Sequence, residues 1–469
     1  MLGGSSRHCA TARRAVSLAC DVTESSSTRP EGSKSDAKRP QGDRTRSKDR
    51  KQQPEDPGGD LERRVARVEF AEGAFVRIRV PVRVDAESGR DVLTDVDVLA
   101  LDVDLRLSVT TGLLESKSGK GQAGEPDRLL WLSGLRAYLG AKRAVLVRQT
   151  VTRRGQAVAS RLGLQVLDVP TLEVREAAHQ WLPESFAHVG GAACEAAEAR
   201  MSTQLKGLGH IPPDLVAFLK GDVFLSEPHR ALGAVVALGR ATSQGPLPEP
   251  AGTVLASHSL VALIVAALQN AGELDALPQA QMKHRLELAL TIGSPDDTHV
   301  LEVLDRADAV TQHVVEQVHR KYTDAGAARQ EVAAPSLRDI VAQPPPWLER
   351  YMDFVTALRE NPYVARELLQ TAELACFDAM LGDSGWKASA FDHLFTPEHR
   401  HLLQVATRLL ESIAGKGLAG ALAPLERLDF DRSGQGVPER RGTSTMPTKP
   451  TAPEEVVAIQ KTLDAPDQP

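Results

Sequence analysis

From residue 76 the chain alternates: Val76, Ile78, Val80, Val82 and Val84 are apolar, and Arg77, Arg79 and Arg83 stand between them. A repeat of two places the two sets on opposite faces of a β-strand, and no helix can bury such a stripe. Pro81 inside the run marks an edge strand, because it cannot donate to a neighbour on both sides. Similar short apolar runs predict strands over Thr94 to Leu101, Thr111 to Lys117, Arg143 to Arg148 and Leu164 to Val169, with helices over Leu61 to Phe70, Asp127 to Leu139 and Gly155 to Leu162. The resulting order, αβββαβαβ, describes an α/β core of about 110 residues, a mixed sheet flanked by helices, over residues 61–170.

Near residue 170 the period changes to three and four. Val300, Leu304, Ala307, Val310, Val314 and Val318, then Leu348, Tyr351, Val355 and Leu358, mark helices, and proline pairs at Pro212-Pro213 and Pro344-Pro345 break the pattern. Residues 171–430 are therefore read as an all-helical accessory domain. Residues 1–60 and 431–469 are rich in Ser, Pro, Arg, Asp and Thr and poor in large apolar side chains, so both are expected to be disordered tails. The apolar stretch after Arg13-Arg14 is too short for an export signal.

Composition narrows the function classes. A net charge of −6 argues against a wholly basic nucleic-acid coat while leaving room for a local basic groove. Four scattered cysteines fit neither a disulfide framework nor a CxxC zinc site, which points to a reducing cytoplasm. The longest apolar run, Val261 to Leu268, is far shorter than the roughly 20 residues of a membrane-spanning helix, so no membrane partner is expected.

The chemistry is concentrated in two of the predicted strands. In Thr94-Asp95-Val96-Asp97-Val98-Leu99, Asp95 and Asp97 share one face; in Leu114-Glu115-Ser116-Lys117, Glu115 and Lys117 share one face and Ser116 points to the other. If the strands are neighbours, Asp97 approaches Glu115, and two carboxylates so placed repel unless a hard divalent cation sits between them. Magnesium or manganese is the expected ion, with Asp97, Glu115, Asp95 and the backbone of Ser116 as ligands. Such an ion polarises a phosphate and activates water, while the Lys117 amine steadies the nucleophile or the developing charge.

This arrangement resembles the PD-(D/E)xK nuclease superfamily, which has the restriction-endonuclease-like fold. Asp95-Val96-Asp97-Val98-Leu99 resembles the strand that bears the family's metal-binding aspartate, and Glu115-Ser116-Lys117 its Glu-x-Lys element. The helix and strand from Arg128 through Val147, and the segment from Ala159 to Leu164, resemble the closing part of that core, although the literal Pro-Asp dipeptide is absent. The resemblance covers about a quarter of the chain. It implies a magnesium-dependent endonuclease with Asp97, Glu115 and Lys117 as catalytic residues, acting on nucleic acid, with DNA the expected polymer, in defence or repair. It also implies a homodimer, and a helical domain that selects a target or a partner protein. The rival reading is a scaffold of the same fold that binds nucleic acid or protein without cutting.

Arg77, Arg79, Lys120, Arg148, Arg153 and Gln156 are the candidate contacts to the polyanion. Elsewhere the simpler structural roles prevail. Cys194 and Cys376 are read as small buried residues, Trp347, Tyr351, Phe354 and Tyr363 as core, and His393, His399 and His401 as separate surface histidines in a loop broken by Pro397.

Overall fold

The computed structural model describes residues 57–86, 89–117, 124–273, 277–292, 298–328, 336 and 343–432. Lys120 and nearly all of the two expected tails lie outside the described residues.

Helix α1 (Pro57–Ala71) leads through Gly73, whose φ of 108° a side chain would resist, into the hairpin of β1 (Phe75–Ala86) and β2 (Gly89–Val103). β3 (Val109–Lys117) follows, then α2 (Glu125–Leu139), β4 (Arg143–Arg148), α3 (Arg153–Leu162) and β5 (Gln165–Asp168). The sheet order is β1-β2-β3-β4-β5; the first two pairings are antiparallel and the last two parallel. β1 is an edge strand, as Pro81 requires. The helical connections fall where the sheet is parallel, because parallel neighbours need a crossover. α1 lies against β1, β2 and β3, and α2 against β4.

The chain then becomes helical: α4 (Val169–Ala177), α5 (Ala192–Leu205), α6 (Pro213–Lys220), α7 (Pro228–Thr242), α8 (Ala251–Glu273), α9 (Gln279–Ile292) and α10 (Thr298–Asp324), followed by Leu348–Glu360, Leu368–Leu374 and Pro397–Ala414. α8 is the axis of this region. It is long and apolar enough to cross a membrane, yet 94% of its most apolar window is buried against α5, α7 and the three later helices. A helix that is apolar all round is stable in this position because every face has a neighbour.

The sheet and the helices share one core. Gln370 Nε2 donates to the carbonyls of Phe70 and Ala74 at 2.7 and 3.1 Å, tying Leu368–Leu374 to the turn between α1 and β1. Three expectations from the sequence need correcting. Pro397 does not break a loop; it opens a helix with Thr396 as its cap, a position where its missing N–H costs nothing. His399 is consequently buried, its Nδ1 3.0 Å from Thr396 Oγ1, whereas His393 and His401 are exposed. Tyr363 is 70% exposed while Trp347, Tyr351 and Phe354 are core. α10 has the expected helical period, but Val310, Val314 and Val318 are exposed.

Candidate active site

The register that pairs Val98 with Leu114 puts Asp97 opposite Glu115. The backbone ladder between β2 and β3 ends at Val98 and Leu114, just before the two acids, while β3 continues alongside β4 as far as Lys117. β2 and β3 thus part just where the acidic residues stand. In the opening, the N–H of Ser116 donates to Asp97 Oδ2 at 2.7 Å instead of to a strand carbonyl.

The side chains converge as their alternation requires. Lys117 Nζ lies 2.7 Å from Glu115 Oε1 and 3.8 Å from Asp97 Oδ2. Glu115 is buried, Asp97 mostly so, and Lys117 is 44% exposed at the mouth. Arg128, on α2, also pairs with Glu115 Oε1, and its guanidinium stacks 3.7 Å from the centre of the Trp131 ring. The Asp97 carboxyl is pushed up to about 6, first by burial and then by the charge of Glu115; the Ser116 N–H and the Lys117 ammonium offset part of that rise. Glu62, reaching in from α1, adds a smaller push in the same direction.

Asp95 is exposed, one alternation along β2 from Asp97 and on the same face. The Ser116 side chain turns to the reverse face, where its Oγ is buried without a hydrogen-bond partner. Arg153 and Gln156 are exposed at the start of α3, free to meet a ligand in solution. Arg148 is buried at the end of β4, in register with Lys117 on one side and Asp168 on the other.

Of the candidate contacts on β1, Arg77 is not at the surface. Arg77 is 3% exposed; its Nη1 lies 2.6 Å from the buried Glu373 carboxylate, and the guanidinium sits 4.4, 5.1 and 5.4 Å from the ring centres of Phe75, Phe224 and Phe377. Arg79 pairs with Glu62 at 2.8 Å, and Arg83 pairs with Asp222. The helical region that follows the sheet supplies the partners of Arg77 and Arg83, whereas Arg79 stays 58% exposed beside Glu62 of α1.

Two residues near the site, Glu62 and Glu125, escaped the sequence reading, and Arg128, expected only as one of several basic residues for phosphate, pairs with Glu115 itself. Glu62 acts on Asp97 through its charge. Glu125, at the start of α2, is buried and accepts from Thr152 Oγ1 at 2.6 Å, clamping α2 to the beginning of α3. A signal for Glu62 does exist in the sequence. It interrupts the apolar stripe of α1 formed by Leu61, Val65 and Val68, and an acid on a buried stripe must have a partner.

Two carboxylates and one ammonium meet at a gap between strands, an oxygen donor set of the kind hard cations take, with a proton donor beside it. Compared with family models, with curated proteins and with solved structures, the chain matches none.

Proposed function

We propose that the opening between β2 and β3 is the active site of a metal-dependent nuclease with a restriction-endonuclease-like core, which hydrolyses phosphodiester bonds of nucleic acid, DNA being the polymer favoured. The single observation that carries this reading is the convergence of Asp97, Glu115 and Lys117, with the ammonium in reach of both acids.

The donor set fits magnesium or manganese. Asp97 and Glu115 offer only oxygen; burial first, and then the charge of Glu115, raise the Asp97 carboxyl, and a divalent cation would favour its ionised form. Those two carboxylates, with the Ser116 backbone and Asp95 at the rim, would hold it. When bound, the ion supplies Lewis acidity to a phosphate oxygen and lowers the pKa of a ligated water.

The side chains divide the remaining work. The Ser116 N–H holds the Asp97 carboxylate in one orientation, and Arg128, stacked on Trp131, does the same for Glu115. Lys117, open to solvent on one side, can donate a hydrogen bond to the attacking water oxygen and to the phosphate as negative charge grows on it. In the displacement the water oxygen bonds to phosphorus and loses a proton, and the ester oxygen leaves and gains one.

The test is cleavage of plasmid, linear duplex, single-stranded DNA and RNA by the full chain in Mg2+ or Mn2+, beside Asp97→Asn and Lys117→Ala. Cleavage that both substitutions abolish supports the site. Cleavage that survives either one, or polymer binding without any cleavage in either metal, rejects it; the latter outcome favours the scaffold.

A further inference from the structure

A second polar cluster lies in the helical region, apart from the acids of β2 and β3. His188 stands in the segment after α4, Glu198 on α5 and His258 in the middle of α8, where its neighbours along the helix are apolar or serine. His188 Nε2 and His258 Nε2 lie 3.1 and 3.0 Å from the same oxygen, Glu198 Oε1. All three atoms fall within 4.8 Å of one another. Both rings pack on Phe377, with ring centres 4.4 and 4.7 Å from it.

The proton arrangement sets the chemistry. His188 Nδ1 is 2.6 Å from Glu373 Oε1, so that nitrogen carries a proton and donates it to the carboxylate. In the neutral ring, Nε2 then presents a lone pair toward Glu198 Oε1, itself a lone-pair donor. Two such atoms 3.1 Å apart need a positive centre between them, either an additional proton or a metal ion. His258 aims a second Nε2 at the same oxygen, so three donor atoms face one point, the geometry that a single metal ion would satisfy.

We infer that His188 Nε2, His258 Nε2 and Glu198 Oε1 form a zinc site. Two imidazoles and one carboxylate are borderline and hard donors suited to zinc, and tetrahedral bonds of about 2.0–2.1 Å separate neighbouring ligand atoms by about 3.3 Å. The His188–Glu373 contact is the second-sphere carboxylate that fixes ring tautomer and orientation in such sites. The remaining charges around the cluster are Arg77, paired with Glu373, and Lys220, whose Nζ is 2.8 Å from Glu198 Oε2. The Lys220 side chain is 32% exposed and marks the path to solvent. Its ammonium opposes the cation, so it sets the affinity without supplying a ligand.

The experiment uses the full chain, stripped with a chelator and titrated with Zn2+ against a chromophoric competitor. One ion per chain is expected, with affinity at least tenfold weaker in His258→Gln and in Glu198→Gln, tighter in Lys220→Ala, and unchanged in Asp97→Asn. X-ray absorption of the loaded protein should show nitrogen and oxygen neighbours at about 2.0–2.1 Å with imidazole scattering. Because His258→Gln alters a core position, its circular dichroism is compared with that of the parent; if it does not fold, the Glu198 and Lys220 variants decide. No bound ion at stoichiometric zinc, or binding that Asp97→Asn removes and Glu198→Gln does not, overturns the assignment.

Discussion

Replacing Asp97 with asparagine should stabilise the protein as it silences the site, and the gain should depend on pH in a defined way. In the fold the carboxyl titrates at about 6 against an ordinary 3.8, because burial and Glu115 oppose its charge. An acid whose folded pKa is raised weakens the fold once it ionises. Below the unfolded value both states hold the proton and nothing is lost; through the interval up to about 6 the loss grows, and above it the loss is constant. With 1.36 kcal/mol per unit, the difference between the two proteins is about 1 kcal/mol at pH 4.5 and about 3 kcal/mol at pH 7.5, both upper values because the side chain keeps some solvent. Asparagine retains an oxygen for the Ser116 N–H, and the 3.8 Å contact to the half-exposed Lys117 that it gives up is worth under about 1 kcal/mol. Urea unfolding of both proteins in chelator, from pH 4.5 to 8, reads the difference directly. A gap that does not widen with pH, or an Asp97→Asn protein less stable than the parent at pH 7.5, would show that Asp97 is not held against its own charge. The case for a cation between Asp97 and Glu115 would lose its electrostatic basis with it.

Arg77→Met should cost about 3–5 kcal/mol because it leaves Glu373 charged and buried, while Arg77→Met with Glu373→Leu should recover much of that loss in the same urea assay. Gly239→Ala should destabilise by about 1–3 kcal/mol, since an added Cβ would sit 2.5 Å from the Ala414 Cα where α7 meets Pro397–Ala414; no change in the unfolding midpoint would contradict this contact. Leu263→Ala, in the fully buried stretch of α8, should cost about 3–5 kcal/mol, and a loss under 1 kcal/mol would mean that α8 is not the packed axis described. Arg128→Ala should free Glu115 and reduce cleavage through lost orientation, lowering kcat with little effect on polymer affinity measured in Ca2+.

What was readable in the sequence is what neighbouring residues decide. The period of two in β1 and β2, and the apolar runs of β3 and β4, depend only on which side of a strand each residue faces. The order of elements up to β5 therefore followed from pattern, and the meeting of Asp97 with Glu115 followed once the two strands were taken as neighbours. Arg77 shows where that stops. Alternation correctly set it on the face opposite Val76, but a period cannot say whether that face meets water or a helix, and its partner Glu373 lies almost three hundred positions away. The same gap hides His188, Glu198 and His258, which have no motif spacing and meet only because α5 and α8 pack together. Pro397 is a local failure of another kind: proline ends a helix in its interior but begins one at its first position, and only the Thr396 cap before it distinguishes the two.

The buried charges also explain why the sheet and the helical region behave as one body. Arg77 on β1, Glu373, His188, Glu198 and Lys220 on α6 form a continuous chain of polar contacts from the edge strand into the helices. Burial pushes the Glu373 carboxyl up, and the charge of Arg77 with the hydrogen bond from His188 outweighs it, holding the group at about 2. Any separation of β1 from the helices would strand at least one of these charges in an apolar setting, at a cost of several kcal/mol. The Arg77–Glu373 pair thus holds β1 to the helices in one register, and β2 follows through its pairing with β1.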